Sequence, residues 1–355
     1  MTAALDILVT RVAQSRVGEM SLENIPFGKH YSDHMLEVDY VDGQWMQPQI
    51  KPYQPLSLAP SLAALHYGQA IFEGIKAYAD ANGNPRIFRP LENFYRFNLS
   101  AERMQMPPVP EDIFMEGMRQ LVSLDRAWIP RHKDHSLYIR PFMFSTDELI
   151  GVRPSDNYKF LIILSPSGPY YVAPMRIHVE EQYIRAAPGG VGYAKAAGNY
   201  GAAMYATAQA RKHGYDQVLW MDGLERKYVQ ECGTMNVFFI IGDTAITPSL
   251  EQGTILNGVT RQSVITLLKE AHLRVEERPL SLEEILEAYD RGALKEVFGT
   301  GTAATISLIK ALACRGRELT FAVDQWQYAP LLKQKLMDIR EGRLPDVHGW
   351  MMPVG

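Results

Sequence analysis

The 355-residue chain reads as a two-domain protein of mixed α/β (α+β) class, and three observations say so. It is longer than one hydrophobic core comfortably organises. Its composition, 46% hydrophobic and 21% charged with 27 Gly and 22 Pro, is that of an ordinary globular chain, with disorder expected only at the ends. Strand-length apolar runs and amphipathic helical stretches alternate irregularly, which fits mixed layers better than a doubly wound sheet. No repeat of solenoid period and no low-complexity tract is present.

Taken in order, the first twenty residues read as a short helix or an arm. Residues 35–40 and the stretch after Gly43 read as strands joined by the hairpin signal Asp42-Gly43. Residues 70–79 form a strand, which the turn Asn82-Gly83-Asn84 connects to a return arm over 86–89. Pro90 stops that arm and opens an amphipathic helix over 91–104; a second helix covers Glu111–Leu124. Strands follow over 136–144 and 158–164. The Pro-, Gly- and Tyr-dense stretch Ser165–Pro174 reads as the link between domains. The division is therefore a smaller N-terminal domain over 1–169, a linker over 170–175 and a larger domain over 176–355 that carries Lys195. Strands near 175–179, 217–221 and 237–241 belong to the second half, with helices over 201–213, 258–272, 282–291 and 329–341. Ser281-Leu-Glu-Glu284 is a capping box and marks the start of the third of these helices.

A net charge of −4 gives no field of either sign strong enough to suggest nucleic acid as a partner. The only cysteines, Cys232 and Cys314, form no CxxC pair, so a disulfide framework is excluded and a reducing compartment fits. No apolar run approaches the ~18–20 residues that span a bilayer. The N-terminus lacks the basic start and apolar core of a signal, so no membrane association and a cytoplasmic location are expected.

Several chemistries are missing: there is no P-loop, no GxSxG elbow and no HExxH or Cys/His zinc spacing. His30 and His34 have no third ligand nearby and read as surface or packing histidines. Gly299-Thr-Gly-Thr302 follows an apolar stretch and precedes 303–306, which reads as strand, glycine turn and helix start, an arrangement that points backbone N–H groups at a phosphate. Leu256-Asn-Gly-Val-Thr260 opens the helix over 258–272 in the same way. Either could be an ordinary turn; two of them in one domain, without a nucleotide fingerprint, hint at a small phosphorylated ligand.

Two charged residues stand out. Lys195 lies in APGGVGYAKAAGNYGAAM, with no other charge between Arg185 and Arg211. Small neighbours leave room at its amine, and apolar surroundings disfavour its charged form, as Schiff-base chemistry requires. The alternative is a lysine reaching into solvent. Glu231 immediately precedes an apolar strand, where a carboxylate must be paired. A protonated pyridine nitrogen would be one partner, and a nearby arginine another.

These segments together resemble the branched-chain amino-acid aminotransferases. That family is pyridoxal-phosphate-dependent, of fold type IV, and is grouped with D-amino-acid aminotransferases and aminodeoxychorismate lyases. The matching pieces are FGKHYSDHM (27–35), HYGQAIFEGIKAY (66–78), IFRPLENFYR (87–96), LYIRPF (137–142), GGVGYAKAAGNYG (189–201), QVLWMDG (217–223), ECGTMNVF (231–238), ILNGVTRQS (255–263) and EVFGTGTA (296–303), in order. The resemblance implies a D-amino-acid-aminotransferase-like fold of two domains with the cofactor in the cleft between them, and a homodimer that completes each site. It implies a transaminase moving the amino group of leucine, isoleucine or valine to 2-oxoglutarate by a ping-pong route.

Residue by residue, the resemblance implies that Lys195 forms the Schiff base with pyridoxal 5′-phosphate and shuttles the substrate's α-proton. Glu231 would pair with the pyridine nitrogen and Tyr200 with the phenolic oxygen. Arg89, Arg185, the segment Leu256, Gly258, Val259 and Thr260, and the turn Gly301 and Thr302 would hold the phosphate. Phe27, Phe72, Tyr138 and Tyr170 would wall an apolar side-chain pocket, with Tyr67 reaching across the dimer interface. Arg140 would take the γ-carboxylate of glutamate, and the backbone N–H groups of Thr234 and Ala303 the α-carboxylate. Some members carry a redox-sensitive CxxC after the GTGTA turn; Ala304-Thr-Ile-Ser307 stands there instead, so that regulation is expected to be absent. A D-amino-acid aminotransferase, using the same lysine, is the alternative within the group. A cofactor-free binding protein on this scaffold is disfavoured because Lys195 and Glu231 are both present. A nucleotide oxidoreductase is disfavoured because GTGTAAT lacks the third fingerprint glycine.

Overall fold

A computed structural model describes residues 5–355. The chain forms two compact units: the residues up to Tyr170 together with Lys195–Ala197 and Met337–Gly355, and Tyr171–Ala194 together with Gly198–Leu336. This differs from the expected single cut near residue 170 in two places. Ala196 makes a β-bridge to Ile71, and the chain end Met351–Pro353 pairs antiparallel with Pro85–Phe88. Both segments therefore belong with the first unit, although the first interrupts the second unit in sequence and the other follows all of it.

Among the described residues, the first unit is built on a ten-stranded sheet. Its centre is the antiparallel set His34–Val41, Tyr158–Ser167, Ser136–Ser145 and Ile75–Ala79. Side chains alternate across these strands. Leu36, Val38, Leu137, Ile139, Phe160 and Ile162 form one buried face, against which helices Pro90–Arg103 and Glu111–Leu124 pack Phe94, Phe97, Phe114 and Leu121. The opposite face carries Tyr138, Arg140, Phe142 and Phe144, interleaved with the first set along the strand Ser136–Ser145. The strand expected over 70–79 is two strands, Ala70–Phe72 and Ile75–Ala79, broken at Glu73-Gly74. Of the N-terminal stretch expected as a helix or an arm, residues 1–4 lie outside the described residues. No helix forms in its described part beyond a single 3-10 turn, Val17–Glu19; instead Leu8–Val9 pairs parallel with Gln49–Ile50. The expected linker also starts later than read. Ser165, Pro166 and Ser167 still pair with Tyr138, Leu137 and Ser136, and Pro166 costs no ladder bond because strand pairing on the other side ends at Met35–Ile163.

The second unit closes on itself. Val229–Cys232 pairs with both Gln217–Met221 and Met235–Ile241, so the ring runs on through Leu294–Gly301, Thr305–Cys314 and Met175–Glu180 and back to Gln217–Met221. Ile177, Leu219, Cys232, Met235, Val237, Phe239, Val297 and Leu312 fill its interior. Helix Ala197–Lys212 lays Ala203, Ala206 and Ala210 on Val218 and Trp220 outside the ring. Helix Val259–Glu270 buries Val264, Leu267 and Leu268. The capping box is formed: Ser281 accepts from the Glu284 N–H at the start of helix Leu282–Asp290. The helix expected after Gly301 is absent. Thr302–Ala304 is a turn, and Thr305–Cys314 returns as a strand with Gly301 opposite Thr305. No helix among the described residues is long and apolar enough to cross a membrane.

Candidate active site

In the second unit, alternation along the ring decides which side chains face outward. Cys232 opposite Met235 points into the core, so Glu231 opposite Asn236 points out, and the next strand adds Thr300 opposite Asn236. Glu231, Asn236 and Thr300 therefore form one row across three adjacent strands. The row straps down the loop that precedes a helix. Glu231 Oε1 accepts the Leu256 N–H at 2.8 Å, and the Asn236 carboxamide donates to the Leu256 carbonyl at 2.8 Å. Helix Val259–Glu270 then starts with Gly258 as its N-cap, without a side-chain cap, and Val259 and Thr260 are buried in its first turn. Only glycine fits at 258, since a Cβ there would overlap Asn236 Oδ1. The Thr300 hydroxyl is buried without a hydrogen-bond partner among the described residues.

Glu231 is 5% exposed and its second oxygen lies 3.3 Å from Arg185 Nε. A buried carboxylate needs a compensating charge, and Arg185 supplies it. The Arg185 guanidinium also donates to the carbonyls of Thr254 and Gly192. Gly192 is obligatory, because a Cβ would meet both Ala186 Cβ and the Thr254 carbonyl at 2.5 Å. Asn199 closes the loop by donating to the carbonyls of Val191 and Ala194 at 2.9 and 3.0 Å. The result is a concavity lined by Arg185, Tyr200, Glu231, Thr234 and Leu256, among others.

In the first unit, Lys195 is half-buried, with its Nζ 4.8 Å from the centre of the Phe72 ring. Its N–H donates to Ser100 Oγ at 2.9 Å and its carbonyl accepts the Phe72 N–H at 3.2 Å. The other face of the Ser136–Ser145 strand gathers the aromatic groups. Phe27 meets Tyr138 and Tyr170 edge-on, with centroids 4.8 and 5.0 Å apart. Arg140 donates to the Tyr138 hydroxyl at 3.0 Å and stacks over Phe72 at 4.6 Å. Tyr138 can sit there because residue 74 is glycine: a Cβ would overlap its hydroxyl oxygen. Arg89 adopts φ 47°, ψ 49°, in the left-handed region, immediately before helix Pro90–Arg103. Its N–H donates to the Trp350 carbonyl at 2.7 Å, and its guanidinium meets Glu92 at 3.1 Å. A non-glycine residue there stores strain of order 1–3 kcal/mol, of the kind that collects at functional sites.

Comparison with known proteins decides the family. The model for amino-transferase class IV matches residues 70–312. A probable branched-chain-amino-acid aminotransferase of Staphylococcus epidermidis is 48% identical over 340 residues, 93% of this chain and 94% of the relative. The branched-chain-amino-acid transaminase 1 of Bacillus subtilis is 45% identical over 339 residues, again 93% and 94%. The chain belongs to the class IV aminotransferases, in their branched-chain-amino-acid group. Among solved structures, the Escherichia coli branched-chain amino acid aminotransferase matches with a TM-score of 0.73 at 27% identity, over 90% of this chain and 99% of that one. A T.th. branched-chain amino acid aminotransferase complexed with N-(5′-phosphopyridoxyl)-L-glutamate gives 0.72 at 26%, over 90% and 98%.

For this class IV aminotransferase, the residues expected from sequence fall into two groups. Phe27, Phe72, Tyr138, Arg140, Tyr170 and Lys195 come together in the first unit, and Arg185, Tyr200, Glu231, Thr234 and Leu256 in the second. Tyr67 stands outside the ring cluster: it is exposed at the end of the short helix Ala63–Tyr67, with its ring 6.1 Å from that of His66. Of the two partners considered for Glu231, the arginine is present, as Arg185. The expected helix start at Gly301–Thr302 is corrected to a hairpin turn, with Ala303 at its tip, because the run Thr305–Cys314 is claimed by strands on either side. His34 is a packing residue. It accepts the Val12 N–H through Nε2 at 3.0 Å, so the proton sits on Nδ1, 2.6 Å from Asp125. Sequence reading missed Asn236, Thr300, Ser100 and Asp222. The lone signal for Asp222 was its place before a glycine in QVLWMDG.

Proposed function

We propose that the chain transfers the amino group of L-leucine, L-isoleucine or L-valine to 2-oxoglutarate, with pyridoxal 5′-phosphate bound to Lys195 and two copies of the chain forming the working enzyme. The observation that carries this reading is the Glu231 concavity, which joins a buried carboxylate, a guanidinium and a phenol on one surface. That donor set fits the cofactor: an acid for a ring nitrogen, a hydroxyl for a ring oxygen, and, after the loop that Glu231 straps down, a helix start without a side-chain cap for a phosphate. When bound, the cofactor supplies an electron sink for the pair released as the substrate's α-proton leaves.

The chain's own residues do the rest. Lys195 Nζ would take the proton from the substrate α-carbon and deliver it to the cofactor's aldehyde carbon, on the other side of the amino nitrogen. Glu231 holds a proton on the ring nitrogen, while Arg185 offsets the cost of burying that carboxylate. Tyr200 donates to the ring oxygen. The N–H groups at Gly258, Val259 and Thr260, the Thr302 hydroxyl and Arg89 bind the phosphate, and helix N-terminal N–H groups do so without a group that can deprotonate. Phe27, Phe72, Tyr138 and Tyr170 exclude water from an aliphatic side chain, and Arg140 meets the carboxylate of the acidic substrate. The N–H groups of Thr234 and Ala303 orient the α-carboxylate, and Tyr67 serves the partner copy. An extra methylene is worth only ~1–3 kcal/mol in such a pocket, so all three branched substrates are accepted.

The test is the visible spectrum of the purified protein after incubation with pyridoxal phosphate. A yellow band is expected that bleaches with L-leucine, recovers with 2-oxoglutarate, ignores D-alanine and is lost in Lys195→Ala. No band, or bleaching by D-alanine alone, overturns the reading.

A further inference from the structure

Helix Pro90–Arg103 carries three buried polar residues on one face, Asn93, Arg96 and Ser100, spaced i, i+3 and i+7. Arg96 grips Glu73 with two hydrogen bonds of 2.7 and 2.8 Å, and Glu73 is fully buried. The same carboxylate accepts the Gly74 N–H at 3.0 Å, and the Glu73 N–H donates to the Pro141 carbonyl at 2.8 Å. Arg96 thereby fixes the break between strands Ala70–Phe72 and Ile75–Ala79, and with it the position of Phe72. One turn further along the helix, the Ser100 hydroxyl donates to the Arg96 carbonyl at 2.9 Å and accepts the Lys195 N–H at 2.9 Å. The Phe72 N–H donates to the Lys195 carbonyl. Both main-chain groups of Lys195 are thus held by elements that this one helix anchors.

We propose that Ser100 is a positioning residue for Lys195: by accepting the Lys195 N–H it sets where the backbone sits and so where the lysine side chain is delivered. This rests on the reading of Lys195 as the cofactor lysine. The chemistry of the residue suits the task. A hydroxyl has one proton and two lone pairs, and with the proton committed to Arg96 the oxygen faces Lys195 as an acceptor. Alanine would remove the Ser100 oxygen that accepts this partly buried N–H, whereas threonine keeps the acceptor. Reaction rates fall steeply when a reacting atom is misplaced by as little as ~1 Å, so a modest backbone shift is enough to be seen.

The experiment compares full-length wild type, Ser100→Ala, Ser100→Thr and Ala101→Gly; the last weakens the same helix at a buried position that faces the hydrophobic core. Four quantities are read: the dissociation constant for pyridoxal phosphate, the pH midpoint of the visible band, kcat and KM for L-leucine, and amide hydrogen exchange at Lys195 in the cofactor-free protein. Ser100→Ala is expected to weaken cofactor binding and lower kcat about tenfold each with little change in KM, to move the pH midpoint, and to speed Lys195 exchange about tenfold. Ser100→Thr is expected to recover most of this, and Ala101→Gly to lower the melting temperature without moving the midpoint. Wild-type midpoint, affinity and exchange in Ser100→Ala overturn the proposal, as does an Ala101→Gly variant that reproduces the whole effect. A wild-type band that survives Lys195→Ala overturns the Lys195 reading and this proposal together. A band lost in Lys195→Ala but untouched by Ser100→Ala overturns this one alone.

Discussion

At the scale of single residues, the site depends on atoms that are missing as much as on those present. Gly74 is the clearest case, because its hydrogen leaves the space that the Tyr138 hydroxyl fills. Gly74→Ala should push Tyr138 away from Phe27 and Arg140 and cost about 2 kcal/mol of stability, the usual scale of overpacking. The expected outcome is a lower melting temperature and a raised KM for L-leucine; wild-type values of both would show that the Tyr138 position does not matter to the substrate. Cys232 makes the opposite point, since it neighbours Glu231 in sequence yet is separated from it by the sheet. It faces the ring interior, where burial, reinforced by the Glu231 carboxylate, pushes its thiol up to about 12. Cys314 is also buried and its thiol is raised by burial. Native protein at pH 8 should therefore release no fast-reacting thiol to iodoacetamide, and denatured protein two. Rapid labelling of Cys232 in the native state would contradict its placement in the core.

At the scale of elements, the position of Glu231 is set from a turn away by Asp222. This buried carboxylate accepts the N–H groups of Leu224, Glu225, Lys227 and Tyr228 at 2.7–3.1 Å, folding the loop that delivers the strand Val229–Cys232. Burial raises the carboxyl, but those four donors together outweigh it and hold the group below its ordinary value. A carboxylate depressed in the folded state stabilises at pH above its unfolded value and loses that contribution as pH falls through the folded one. Asp222→Asn should thus cost about 2 kcal/mol at pH 7, with the gap to wild type narrowing below about pH 4. A gap independent of pH, measured by denaturant titration, would mean that charge plays no part. Elements of this kind were only partly legible in the sequence. Glu111–Leu124 and Gln217–Met221 announce themselves by periodicity or by a run bounded by polar residues, and both form over the residues expected. The strand Thr305–Cys314 does not, because it is covered on both sides and its largely apolar pattern lacks the alternation that marks a half-buried strand. With two alanines following Gly299-Thr-Gly-Thr302, a helix start was the natural reading of what is a hairpin turn.

At the scale of the whole chain, what the sequence hides is closure between distant segments. The motifs around Lys195 and Glu231 were readable because each lies within a few residues, whereas the pairing of Met351–Pro353 with Pro85–Phe88 joins residues more than 250 positions apart and carries no local mark. That pairing bears on Arg89. The Trp350 carbonyl accepts the Arg89 N–H, the Trp350 ring lies 5.6 Å from the Arg89 guanidinium, and Val354 enters the first unit's core while its N–H donates to the Pro85 carbonyl at 2.9 Å. The strained backbone of Arg89 is therefore held in place by the end of the chain. Deleting residues 350–355 removes three buried apolar side chains, Trp350, Met351 and Val354, for a loss on the order of 5 kcal/mol. It should also loosen Arg89 and so weaken pyridoxal phosphate binding. Trp350→Leu separates the two effects, because it keeps the carbonyl that receives Arg89 while removing the ring. If Arg89 is fixed through its backbone, the point variant keeps cofactor affinity near wild type while the truncation, assayed at a temperature where it remains folded, loses it. Equal loss in both would assign the effect to the indole ring instead, and no loss in either would mean that Arg89 needs no help from the chain end.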